Sequence, residues 1–136
     1  MTDLGIVLRV VDTLEAARLR VWLFGGWAEE LRGLRVPSEH QQIELLYPGR
    51  DFARVDRFIA DDVADERTHK RSFELDSVPV ELLLVQKDEE GWYTELPRRR
   101  HRWPPDVFAN AGRLPVASAT ALESYRHSRR ADSQAA

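Results

Sequence analysis

Leu4, Val7, Leu8, Val11, Leu14 and Ala17 recur at intervals of three and four, with Arg9, Asp12 and Glu15 between them. That spacing predicts an amphipathic helix covering one side of the domain, capped at Thr2 or Asp3. Val21 to Phe24 follows as a run of β-formers and stops at Gly25-Gly26, a pair that permits positive φ and close backbone approach. Trp27 to Leu31 has room for two helical turns, and Arg32 to Glu39, with Gly33 and Pro37, reads as a loop. From Gln41 to Tyr47 the period changes to two. Ile43, Leu45 and Tyr47 share one face of a strand, and Gln42, Glu44 and Leu46 share the other, so Gln42 and Glu44 project together. Pro48-Gly49 makes a turn, Asp51 caps, and Phe52, Val55, Phe58 and Ile59 form the apolar stripe of a second helix.

An acidic, polar stretch from Asp61 to Lys70 separates this helix from a predicted hairpin, Arg71 to Leu75 and Val78 to Val85, joined around Asp76-Ser77. The second strand, VPVELLLV, is apolar on both faces except at Glu81, which predicts a central, covered strand. A charge in that setting needs a partner, either at a functional site or in an ion pair with an arginine such as Arg71. Gln86 to Pro105 reads as loop, with the acids Asp88, Glu89 and Glu90, the aromatic pair Trp92-Tyr93 and the basic run Arg98 to Arg102 ahead of Trp103. That run is a solvated loop or a basic, aromatic wall for an anionic ligand. Val107 to Ala109 and Leu114 to Val116 are short edge strands. Thr120 and Glu123 have capping-box spacing and open a last helix over Ala121 to Arg129. The order of elements predicts an α+β (α/β-like) class, a small mixed sheet flanked by helices. Residues 1–129 form one domain, and the tail 130–136, without core-forming residues, frays.

Composition narrows the classes. The chain of 136 residues, 43% hydrophobic and 32% charged, is one globular domain by length and composition. A net charge of −3 gives no basic excess of the kind nucleic-acid binders use to neutralise phosphates, so nucleic acid is the least favoured partner. With no cysteine there is no disulfide framework, thiolate metal site or thiol nucleophile. The N-terminus lacks the pattern of a signal peptide and no window reaches the length of a membrane span, which predicts a soluble, cytoplasmic protein.

Strand, Gly-Gly, helix, a second strand with polar acids at alternate positions and a third strand with one more acid: this order resembles the nucleotidyltransferase superfamily. The similarity is to the aminoglycoside and lincosamide nucleotidyltransferases, whose pattern is GGWA, a helix, an Arg-x-x-His-type loop and Asp-x-Asp. Here it reads WLFGGWAEEL, then Arg35 through His40, then Gln42-Ile43-Glu44, with VPVELLLV supplying Glu81 and RLPVASATALESYRH the closing strand and helix. The resemblance implies the nucleotidyltransferase (DNA polymerase β-like) fold. It implies phosphate contacts at Gly25 and Gly26, binding roles for Arg35 and His40, catalytic roles for Glu44 and Glu81, and Mg²⁺ or Mn²⁺ held by Gln42, Glu44 and Glu81. Nucleotidyl transfer needs such a cluster because paired divalent ions stabilise the attacking and leaving oxygens. The implied partners are a nucleoside triphosphate and a small-molecule hydroxyl acceptor, and a homodimer would supply an acceptor wall that so short a chain lacks.

The sequence departs from this pattern where the chemistry is most demanding. Gln42 stands at the first aspartate and Glu44 at the second. Glutamate keeps the charge but moves it by a methylene; glutamine removes it, which predicts weakened binding of at least one metal. Two main readings follow: a metal-dependent nucleotidyltransferase, with activity in doubt, and a non-catalytic relative that keeps the fold as a ligand- or protein-binding module.

Overall fold

The computed structural model describes residues 2–59, 63–65 and 68–135. Helix α1 spans Leu4–Ala16, and the Asp3 side chain caps it by accepting from the Ile6 amide at 2.9 Å. Its buried stripe is Val7, Val10, Val11 and Leu14, while Leu4 and Leu8 stay over 40% exposed (42% and 44%). The packed face is therefore rotated from the one predicted, because Val10 and not Leu8 completes the group that a 3.6-residue period places together.

Strand β1 (Trp22–Phe24) runs directly into α2 (Gly25–Leu31), which begins at the glycines and not after them. Strand β2 (Ile43–Pro48) and helix α3 (Ala53–Ile59) fall close to expectation, and Asp51 accepts from the Ala53 amide at 2.9 Å. Of the acidic connection from Asp61 to Lys70, positions 61, 62, 66 and 67 lie outside the described residues; 63–65 form a short strand, β3, that was not foreseen. Strands β4 (Lys70–Leu75) and β5 (Val78–Asp88) make the predicted hairpin, with both Asp76 (φ 49°) and Ser77 (φ 67°) left-handed as a two-residue hairpin turn requires.

Residues 86–105 are not the predicted loop. Strand β5 runs on to Asp88 and pairs with β6 (Gly91–Glu95), which pairs with β7 (Arg100–Arg102). The inward side chains here are Thr94, His101 and Trp103, all buried, with Thr94 opposite His101. Apolar alternation is absent because two of the three are polar. Thr94 Oγ1 donates to the Leu84 carbonyl at 2.8 Å and accepts from Trp103 Nε1 at 2.8 Å, which satisfies it inside the core. Outside, Arg102 forks onto Asp88 (2.6 and 2.5 Å) and Arg100 onto Glu95 (2.6 and 3.2 Å), both guanidinium groups lying over the Tyr93 ring. The Arg102 hydrogen bonds hold the Asp88 carboxyl down at about 2.

The chain closes with β8 (Phe108–Ala111), β9 (Leu114–Ala117) and α4 (Ala119–Ala135). The main sheet has the order β3-β4-β5-β2-β1-β9-β8; β2 lies parallel to β5 and β9 parallel to β1, so of the two strands expected at an edge β8 is at one and β9 is interior. Leu45, Leu46, Leu82 and Val85 are all essentially buried, so β2 and β5 are covered on both faces, as the apolar run around Glu81 predicts. The cap of α4 is Ser118, whose Oγ accepts from the Ala121 amide at 3.0 Å, two residues ahead of the predicted Thr120. Ser118→Ala is expected to lower stability by about 1 kcal/mol in denaturant unfolding, and Thr120→Ala by much less. No helix among the described residues is long and apolar enough to cross a membrane.

Candidate functional site

The register of three neighbouring strands builds the site. Phe24 is opposite Glu44 across β1 and β2, and Glu44 is beside Glu81 across β2 and β5. Directly opposite residues share a sheet face, so the two carboxylates stand together above one surface of the sheet. They open into a cleft of about 1070 Å³ bounded by the start of α2, the start of β4 and one face of α4.

The glycine turn shapes the wall of this cleft through what it leaves out. Gly25 is left-handed (φ 66°), and a Cβ there would collide with Glu44 Oε2; the carboxylate rests against the bare backbone. The Gly26 amide donates to the same carboxylate. A Cβ on Gly26 would lie 2.7 Å from Arg35 Nη1 and 2.8 Å from the His40 ring. Both glycines are thus fixed by close approach. Burial pushes the Glu44 carboxyl above its usual range and the Glu81 charge adds to this; the Gly26 N–H, Arg129 and Lys70 oppose it.

Glu81 meets Lys70 Nζ at 3.2 Å on Oε1, and the Gln42 side-chain nitrogen makes a long 3.5 Å contact to Oε2. The partner of Glu81 is therefore Lys70 and not Arg71, which turns to the other side and forks onto Asp56 at 2.7 and 3.2 Å. Alternation explains this, since adjacent residues of β4 face opposite ways. Glu29 is held by Arg126 (2.7 Å) and Arg35 (3.5 Å), which ties α2 to α4 and to the loop after α2.

Of the residues singled out from the sequence, Gly25, Gly26, Arg35, Gln42, Glu44 and Glu81 all line the cleft. His40 sits behind Gly26. It is 9% exposed, its ring lies against Trp27, and its backbone carbonyl accepts from both the amide and the hydroxyl of Thr2. The basic run Arg98 to Arg102 does not reach the cleft. Lys70, Glu29, Tyr125, Arg126 and Arg129 were missed. A signal for the last three existed: Leu122, Tyr125, Arg126 and Arg129 recur at helical spacing, so the apolar stripe of α4 continues as a basic one.

A mixed sheet with helices against it, and two acids from adjacent parallel strands beside a Gly-Gly turn, define a protein of the nucleotidyltransferase (polymerase β-like) fold. A profile of the aminoglycoside-2''-adenylyltransferase family matches residues 6–120, and the chain belongs to that family. Among solved structures it is similar to ANT(2'')-Ia in complex with adenylyl-2''-tobramycin, at 18% identity and a TM-score of 0.62, covering 93% of this chain and 76% of that one. It is also similar to the lincosamide antibiotic adenylyltransferase LnuA bound to lincomycin (14% identity, TM-score 0.69, 86% and 81% covered). A candidate nucleotidyltransferase of Thermotoga maritima matches at 15% identity and a TM-score of 0.58 over 98% of this chain and 91% of that one. No curated protein sequence matches the chain.

Family membership implies divalent-metal use, and the side chains present do not fit a paired-cation clamp. Among the described residues no three His, Asp or Glu side chains gather where they could hold an ion. Glu81 already carries an ammonium group on one oxygen and an amide contact on the other, and Glu44 is turned back onto Gly26. Mg²⁺ demands near-octahedral oxygen ligation at short range, which this set does not offer.

Proposed function

We propose that the cleft binds a nucleoside triphosphate and that transfer of its nucleoside monophosphate to a small-molecule hydroxyl is strongly reduced, leaving a ligand-binding member of the family. The observation that carries this reading is the trio Gln42, Glu81 and Lys70: a neutral amide where the pattern has a carboxylate, and an ammonium group on the neighbouring acid. The phosphates would lie against Gly25 and Gly26 with Arg35 alongside, and His40 would act from behind by holding Gly26 in place. Glu44, near the site's centre and with its carboxyl raised by burial, is the group best placed to take a proton from an acceptor hydroxyl.

Restoring the charge at position 42 tests it. A carboxylate about 4 Å from a dication is worth roughly 8 kcal/mol gross at an effective dielectric near 20, and desolvation removes most but not all of that. Gln42→Asp is therefore expected to raise affinity for Mg²⁺ or Mn²⁺ with ATP by about tenfold or more in calorimetric titration. Label transfer from ATP to tobramycin or lincomycin, the molecules carried by the similar structures, is expected to be near background for the native chain. Native turnover well above background and equal to that of Gln42→Asp would overturn the reading.

The basic run lends no support to a nucleic-acid role. Arg100 and Arg102 are engaged by Asp88 and Glu95 on the outer face of β6 and β7.

A further inference from the structure

We infer that Lys70 and the arginines of α4 replace the divalent ion, so that the polyphosphate of the ligand is held by protein cations alone. This rests on the reading of the cleft as a nucleotide site. A site built to hold metal ions concentrates negative charge; this cleft does the reverse. Arg35, Lys70, Arg126, Arg129 and Arg130 line it against the carboxylates of Glu29, Glu44 and Glu81, an excess of two positive charges. A free dication is repelled by that balance, and a phosphate chain is attracted by it.

The positions of the cations fit the same conclusion. Lys70 Nζ lies 3.2 Å from Glu81 Oε1, so a fixed positive charge already sits on one of the two carboxylates that a bridging ion would need. An ammonium group has three N–H donors, and the contact to Glu81 uses one. On α4, Arg129 makes no ion pair among the described residues, although its charge is felt at Glu44 and Tyr125. Lys70 from β4 and Arg129 from α4 therefore both line the cleft into which Glu44 and Glu81 open, and the charge of each is felt at Glu44. Gln42 completes the arrangement. With a carboxylate there, Lys70 would face two acids and the positive excess would shrink; the neutral amide leaves the ammonium free to act on a phosphate oxygen.

The probes are ATP and inorganic tripolyphosphate, titrated calorimetrically into the full chain with EDTA and again with excess MgCl₂. Both are expected to bind in EDTA, with affinity unchanged within about threefold by Mg²⁺ and falling with added salt. Lys70→Gln and Arg129→Gln are each expected to weaken tripolyphosphate by about tenfold, with Lys70→Arg retaining most of it. Arg129→Gln removes no ion pair of the described fold, so it serves if Lys70→Gln fails to fold. Binding that appears only with Mg²⁺ would overturn this inference and leave the nucleotide reading standing. Absence of binding by either probe, with or without Mg²⁺, would overturn both. Tight metal-free binding that is indifferent to Lys70→Gln and Arg129→Gln would overturn the assignment to these residues.

Discussion

Gly25→Ala is expected to destabilise the fold by about 2–3 kcal/mol and to expel the Glu44 carboxylate from its seat. Two independent effects add. Alanine at a left-handed φ of 66° costs on the order of 1–2 kcal/mol from contact between Cβ and the backbone. The new methyl also collides with Glu44 Oε2, and displacing that carboxylate loses its hydrogen bond from the Gly26 amide, worth about 1 kcal/mol or more. The two parts separate in a double-mutant cycle measured by denaturant unfolding. Gly25→Ala in a Glu44→Ala background keeps the backbone cost and loses the collision, so its penalty is expected to shrink by about 1 kcal/mol. An undiminished penalty would mean that the carboxylate does not rest against Gly25. The same substitution is expected to weaken ATP binding, because the α2 entrance and the acid strand are set by one contact.

The second large effect comes with acid. His101 is 5% exposed, packed edge-to-face against the stacked rings of Trp103 and Tyr125, and its protonation is pushed down to about 4 by burial, with the nearby Arg99 charge adding. In the unfolded chain the same imidazole protonates near 6.5. Between those values the unfolded state holds the extra proton, so the fold loses stability as the pH falls from about 6.5 towards 4 and is unaffected by this group above that window. The full difference corresponds to roughly 3 kcal/mol. Asp88, held at about 2 by Arg102 in the fold, adds its own loss of stability only from about pH 5 downwards, so the upper part of the window reports His101 without it. Melting temperature is expected to drop across this range in the native protein. His101→Phe, which fills the aromatic pocket without titrating, is expected to lose much of the drop. Parallel curves for the two proteins would show that another group controls acid unfolding.

The main lines of the fold were legible because its central elements use apolar alternation. Ile43, Leu45 and Tyr47 against Gln42 and Glu44 gave the strand, its facing and the pairing of polar side chains, and the unbroken VPVELLLV gave a covered neighbour for it. Strands β6 and β7 hid for a physical reason. Their buried positions are Thr94 and His101, whose polarity is satisfied or neutralised only once the fold exists, while the outward arginines read as solvated charge. Glu81 was legible as a charge in need of a partner, but its choice of Lys70 over Arg71 depends on which face of β4 each residue takes. The helix α4 contribution was hidden by distance, since the residues of its basic stripe come within reach of Glu44 only after β9 has docked beside β1.

That dependence on docking reaches to the acids themselves. Glu44 and Glu81 belong to strands that pair in parallel, and parallel neighbours cannot be joined by a tight turn; the connecting chain runs through α3, β3 and β4 first. Local hairpins such as β4 with β5 can close early, whereas the β2–β5 ladder must wait for a long loop to be brought together. The two carboxylates therefore meet only after a slow, non-local step of folding, and until then no partly folded form of the chain presents an assembled cleft.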